Sequence, residues 1–206
     1  MSIGIRRYAL QISAGIVTLA ALAVFADTLM GALWYSPDTE VPVPEIEQVP
    51  EEKRALPEDQ PARLRVPSLE IDAFIQHVGV NAKGNMAAPS NFVDVGWYKY
   101  GTTPGFTGSA VVTGHVDNAL GLPGVFKELD KMRIGDDIFV EAQDGEELHF
   151  RVVEIQRYPY TLVPLKVLFS RSDLPRLNLI TCSGKWLQSE RSYDERLVVY
   201  AELVSG

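Results

Sequence analysis

From residue 63 onward the apolar side chains fall in short runs separated by turn residues, with no helical period long enough for a bundle. Leu64 to Ile71 and Ala73 to Gly79 read as strands, split by Pro67 and turned at Asn81 to Asn85. Ser109 to Thr113 is a short buried strand. Asp137 to Ala142 and Leu148 to Ile155 flank Gln143-Asp144-Gly145-Glu146, a hairpin signal centred on Asp-Gly. Leu177 to Thr181 mixes branched and apolar side chains as a buried strand does, and Leu197 to Leu203 supplies a last one. Val125 to Met132 and Pro164 to Arg171 are expected to hold helical turns. Regularly spaced short strands with turn signals and no internal repeat predict a mainly β domain over 63–206, a closed or nearly closed barrel.

A different pattern precedes it. Arg6-Arg7 lead into an uncharged run from Tyr8 to Ala26. As a helix it spans about 28 Å, close to the hydrocarbon thickness of a bilayer. The arginines before it and the acidic residues after it predict a cytoplasmic N-terminus, with Trp34 and Tyr35 at the outer interface. Residues 1–35 therefore read as a stub and single-pass transmembrane anchor. A cleaved signal peptide, with Val24-Phe25-Ala26 near the cut, is the competing reading. Either one exports the domain. Between anchor and domain, 36–62 reads as an extended spacer: Ser36 to Pro61 holds six of the thirteen prolines and eight acidic residues, with no apolar periodicity.

Charge and cysteine usage narrow the function. The formal net charge is -8 with no basic stripe, which argues against a nucleic-acid partner. Cys182 is the single cysteine, so no internal disulfide consumes it, and an exported domain holds it in an oxidising compartment. It sits at the mouth of a predicted strand, where Ser183-Gly184 ends the apolar run. If that strand pairs antiparallel with Leu197 to Leu203, Arg196 comes alongside Cys182, and Ser183 to Glu195 is a long connecting loop. Three histidines compete as its base. His149 shares a strand face with Arg151, opposite Leu148, Phe150 and Val152, and reads as solvent-facing. His77 lies before a turn with nothing polar clustered around it. His115 follows Ala110-Val111-Val112-Thr113-Gly114, at the end of a buried strand and after a glycine that permits close backbone approach. Three scattered histidines and one cysteine lack metal-ligand spacing, so no cofactor is expected.

The order Gly114-His115, then Leu179-Ile180-Thr181-Cys182, then Arg196 before a final apolar strand resembles the sortase transpeptidases. So does the local context: Thr113 to Asp117 reads TGHVD, Leu179 to Cys182 reads LITC, and Arg196 to Leu203 reads RLVVYAEL. Asp94 to Tyr98, DVGWY, looks like the class D, E and F branches. One departure is Asn178, where the family often has threonine. The resemblance implies a sortase-type eight-stranded β-barrel with short helices. The implied enzyme cleaves a Leu-Pro-x-Thr-Gly-like sorting signal through a thioester on Cys182. It then passes the acyl group to an amine of peptidoglycan or of a pilin. His115 would serve as acid and base, Arg196 would hold the oxyanion and substrate carbonyls, and Thr181 would contact substrate. Implied partners are surface proteins with a C-terminal sorting signal and the amine acceptor, with the catalytic domain outside the cell membrane. Two alternatives stay open: an exported cysteine peptidase that only hydrolyses, and a non-enzymatic tethered barrel in which Cys182 is a small buried hydrophobe. A papain-like order would run cysteine before histidine, and an L,D-transpeptidase would place histidine where Ile180 stands.

Overall fold

The computed structural model describes residues 15–30, 41–43, 56–118, 120–171 and 173–204. A helix, α1, covers 15–30. The strands follow as β1 (Val41–Pro42), β2 (Pro61–Val66), β3 (Ile71–Val78), β4 (Asn85–Met86), β5 (Val95–Tyr98) and β6 (Gly108–Gly114). Next come β7 (Asp137–Ala142), β8 (Glu147–Pro159), the short helix α2 (Leu165–Ser170), β9 (Pro175–Leu187) and β10 (Ser192–Leu203). Eight strands close a barrel in the order β10-β8-β7-β2-β3-β5-β6-β9, with β9 returning to β10. All its ladders are antiparallel except β3 with β5 and β6 with β9.

Burial explains which strands read as alternating and which as continuous. In β7 every second residue is buried, the pattern of a strand with one wet face. The first hairpin behaves alike: Leu64 and Val66 point inward, while Arg63 outside pairs with Asp72 across the ladder. By contrast β6 is buried at every position, β9 from Arg176 to Ser183 and β10 from Arg196 to Ala201. Two clusters account for this. The barrel interior takes Ala110, Val112, Leu177, Leu179, Leu197 and Val199, together with Leu64, Ile138 and Phe150. An outer cluster takes the opposite faces of the same strands, Val111, Ile180, Val198 and Tyr200, and covers them with Leu168 and Phe169 of α2, Met86, Tyr98 and Val41. Period 2 assigns each side chain to one cluster or the other.

Several expectations change here. Ser183 to Glu195 is not a loop: β9 and β10 both extend into it, and only 188–191 turn the chain. Cys182 accordingly lies inside a strand rather than at its end. Its exposed hairpin is held by backbone bonds instead of burial, so its polar sequence gives no strand pattern. Val95 to Tyr98 forms β5, four buried residues wedged between a parallel and an antiparallel neighbour. Inside the expected spacer, Val41 pairs with Met86 and is buried in the outer cluster. The expected anchor begins at Tyr8, and residues 8–14 lie outside the described residues. Among those described, no helix is long and apolar enough to cross a membrane.

Phe150 is fully buried at the centre of the interior cluster. Phe150→Ala should cost about 3–5 kcal/mol, read as a lowered urea midpoint; a loss under about 1 kcal/mol would mean the interior packing is not what holds the barrel.

Candidate active site

Strand register assembles the three residues singled out above. Cys182 on β9 lies directly opposite Arg196 on β10. On the other flank, the parallel ladder of β6 with β9 ends at Thr113 opposite Ile180, so His115 and Cys182 each stand two residues past the same rung. Alternation sends Cys182 and Arg196 to the outer face, continuing the rows of Ile180 and of Val198 and Tyr200. Thr181, between them in phase, turns the other way and donates its hydroxyl to the Gly114 carbonyl at 2.8 Å. That bond joins the residue before Cys182 to the residue before His115.

Close packing fixes His115 as well. A Cβ at Gly114 would stand 2.5 Å from the Phe126 ring, so glycine lets the following loop fold back onto the strand end. Phe126 then donates its backbone N–H to the His115 carbonyl at 2.9 Å. The imidazole Nε2 lies 3.0 Å from the Pro89 carbonyl, and the residue is 3% exposed. His77 and His149 stand elsewhere, against the Pro61 carbonyl at 2.8 Å and the Asp137 carboxylate at 2.7 Å.

Arg196 is a fully buried cation, a costly position unless oxygens face it. Its guanidinium donates to the carbonyls of Tyr193 at 3.0 Å and Glu195 at 2.9 Å, and to the Ser192 hydroxyl at 2.9 Å. Tyr160, on the segment leading into α2, places its ring 5.8 Å from the guanidinium carbon. The hairpin itself is bent to make this nest. Between the pairs Tyr193 with Trp186 and Glu195 with Ser183, β9 carries one more residue than β10, a bulge built on Gly184 at φ +83°. Asp194 caps the bulge by accepting the Lys185 N–H at 2.6 Å. A side chain at Gly184 would collide with that carboxylate.

A second tie crosses the site. The Tyr193 hydroxyl donates to Asp117 at 2.5 Å, linking the loop after His115 to the strand that carries Arg196. Burial, and then the Asp117 carboxylate, push the Tyr193 phenol well above its ordinary value, so it keeps its proton throughout the working pH range. Cys182 and Tyr193 share a cavity of about 380 Å³ at the barrel mouth with Lys127, Asp130, Arg157 and Ser183. Arg157 bonds the Ser183 hydroxyl and lies 3.4 Å from Asp130. Sequence reasoning missed Asp117, Tyr193, Asp130 and Arg157. Only Asp117 carried a signal, its place two residues after His115. Asn178, the departure noted above, is buried and donates to the Leu168 carbonyl of α2 at 2.6 Å.

The arrangement is a thiol within β9 and an imidazole just past the end of the neighbouring β6, with a guanidinium on β10 held in place by its own hairpin. A model of the sortase domain matches residues 64–204. Solved structures with the same barrel include sortase C-1 from Actinomyces oris, at 20% identity and TM-score 0.58, covering 92% of this chain and 99% of that one. Sortase A from Corynebacterium diphtheriae aligns at 22% identity and TM-score 0.56, over 75% of this chain and 63% of that one. A Clostridium perfringens sortase D5 transpeptidase aligns at 20% identity and TM-score 0.51, over 71% and 79%. Among curated proteins, none matches.

Because the Tyr193 hydroxyl ties Asp117 across the site, Tyr193→Phe should lower kcat about tenfold or more with KM little changed. Tyr193→Phe combined with Asp117→Ala should be no worse than the more damaging single change, since both break one bond. Additive losses would show that the two residues act separately.

Proposed function

Because this chain belongs to the sortase family, we propose that it cuts a Leu-Pro-x-Thr-Gly-like sorting signal after threonine and transfers the acyl group to an amine. The observation that carries this reading is the register that sets Cys182 against Arg196 with His115 two residues past the shared rung. Cys182 attacks the threonine carbonyl carbon as a thiolate, forming the C–S bond as the C–N bond breaks. His115 gives its proton to the departing amine. In the second half His115 takes a proton from the incoming amine, whose nitrogen forms the new C–N bond while sulfur leaves. A thioester survives long enough for an amine to compete with water, which is why sulfur suits transfer rather than simple hydrolysis.

Arg196 has the shape for the remaining task. Its planar fork, bonded in this structure to Tyr193, Glu195 and Ser192, would exchange those partners for the developing oxyanion and substrate carbonyls. Thr181 contributes by fixing the strand that carries the nucleophile, its hydroxyl engaged by Gly114, and lines the cavity where substrate meets Cys182. Surface proteins bearing that signal are the donors, and an amine of the cell wall or of a pilin is the acceptor. The N-terminal apolar run holds the enzyme in the cell membrane with the barrel outside.

Incubating the full chain with a Leu-Pro-x-Thr-Gly peptide should give a thioester adduct at Cys182 by mass spectrometry, absent from Cys182→Ala; no adduct on the wild-type protein would sink the mechanism. Arg196→Lys keeps the charge but loses the fork, and should lose about 2 kcal/mol or more of transition-state stabilisation. The same swap at Arg191, in the turn, should matter far less, and equal losses would mean a general charge effect. Removing residues 1–35 should move the protein from the membrane fraction to the soluble one, and full-length chain found soluble would refute the anchor.

A further inference from the structure

The imidazole of His115 meets the segment 87–94 at the Pro89 carbonyl, 3.0 Å from Nε2. Pro89 is buried, yet residues 87–94 form neither helix nor strand that would place it. Side chains do so instead. Asp94, the first residue of the DVGWY stretch, accepts from Gln76 Nε2 at 2.9 Å and from Asn91 Nδ2 at 2.7 Å on the same carboxylate oxygen. Gln76, on β3, turns its own side-chain oxygen to the Ser90 N–H at 2.9 Å, one residue from Pro89. Asn91 in turn accepts the N–H groups of Val93 and Asp94 at 3.0 and 2.8 Å. Gly96, two residues further along the stretch, leaves room for the proline: a Cβ there would stand 3.4 Å from Pro89 Cδ and 2.9 Å from Val78 Cγ1. The Phe92 carbonyl accepts the Val125 N–H at 2.8 Å, next to the bond from Phe126 to His115, so the segments on both sides of the imidazole are joined.

A carbonyl oxygen can only accept, so the ring nitrogen facing Pro89 carries a hydrogen in both the neutral and the charged imidazole. The lone pair of the neutral ring is then on Nδ1. We propose that Asp94 and Gln76 are positioning residues for the transfer reaction: by holding Pro89 against His115 they keep Nε2 as a fixed donor and make Nδ1 the nitrogen that moves protons. In the first half the imidazolium gives its Nδ1 proton to the departing amine as the C–N bond breaks, once the C–S bond has formed. The neutral ring that remains is still bonded to Pro89. In the second half Nδ1 takes a proton from the incoming amine as the new C–N bond forms and the C–S bond breaks, which restores the imidazolium. A ring without the Pro89 bond would populate the other tautomer as well, with a hydrogen where the lone pair is needed. This inference rests on the acid and base role of His115 in the transpeptidase reading, and assigns the atom that performs it and the residues that set that atom.

Full-length protein carrying isotope-labelled histidine reports the tautomer through its ring nitrogen shifts, with His77→Gln and His149→Gln assigning the signals. The neutral His115 ring should be protonated on Nε2 alone in the wild-type protein. Asp94→Ala should give a mixture of both tautomers and lower kcat about tenfold, with KM changed less than twofold. Asp94→Asn keeps an oxygen for Gln76 and Asn91, and should restore the single tautomer and most of kcat, which separates the hydrogen bonds from the charge. Gln76→Met, similar in bulk but without the bonds, should behave as Asp94→Ala does, and carries the test if that variant does not fold. A lowered Tm with the tautomer unchanged is what a merely structural network would give, and would overturn the proposal. So would a wild-type ring protonated on Nδ1, or an unchanged kcat in both Asp94→Ala and Gln76→Met, while a thioester adduct at Cys182 leaves the transpeptidase reading standing. No adduct on the wild-type protein would overturn both.

Discussion

Register between β9 and β10 sets Cys182 against Arg196, and a slip of one residue would turn one of the two into the barrel interior. Burial on both faces is what prevents the slip. Leu177, Leu179, Leu197 and Val199 fill the interior while Ile180, Val198 and Tyr200 fill the outer cluster, so any shift would exchange the contents of both. Fully burying one such side chain contributes roughly 1.5–3 kcal/mol. The same ladder therefore holds the barrel closed and aligns Cys182 with Arg196.

Placing a charge at 0% exposure runs against that apolar logic, and the hairpin beyond the barrel resolves it. The bulge at Gly184 bends β9 so that the Tyr193 and Glu195 carbonyls and the Ser192 hydroxyl converge on the guanidinium. An arginine buried with these bonds to its own hairpin is held rigid. Tyr193 extends the same order to the histidine loop through Asp117. Rigid packing of Gly114 against Phe126 completes the frame around His115.

Around this frame the surroundings divide by chemistry. An apolar outer face roofed by α2 and a charged mouth lined by Lys127, Asp130 and Arg157 meet at the one thiol. Solved sortases at 20% and 22% identity keep the barrel. Most of the barrel's sequence is thus interchangeable as long as period-2 burial is kept.

Much of this was legible along the chain. Alternation marked β7 and the Asp144-Gly145 turn, and continuous apolar runs marked β6, β9 and β10, because strand period and turn chemistry are written locally. Antiparallel pairing of the last two apolar runs is enough to place Arg196 beside Cys182, since the two residues stand at the ends of those runs that face each other. What tertiary structure alone decided are the contacts between distant segments. Thr181 meets Gly114 across 67 positions and Tyr193 meets Asp117 across 76, and no local pattern marks such pairs. The polar residues on either side of 188–191 read as loop because their pairing is satisfied by backbone bonds in solvent, which leaves no hydrophobic signature. Val95 to Tyr98 gave no strand signal because a four-residue strand containing glycine shows no alternation once both its faces are buried. Arg157 and Asp130 became part of the site only when closure of the barrel brought β8 and the loop before β7 to the same rim as Cys182.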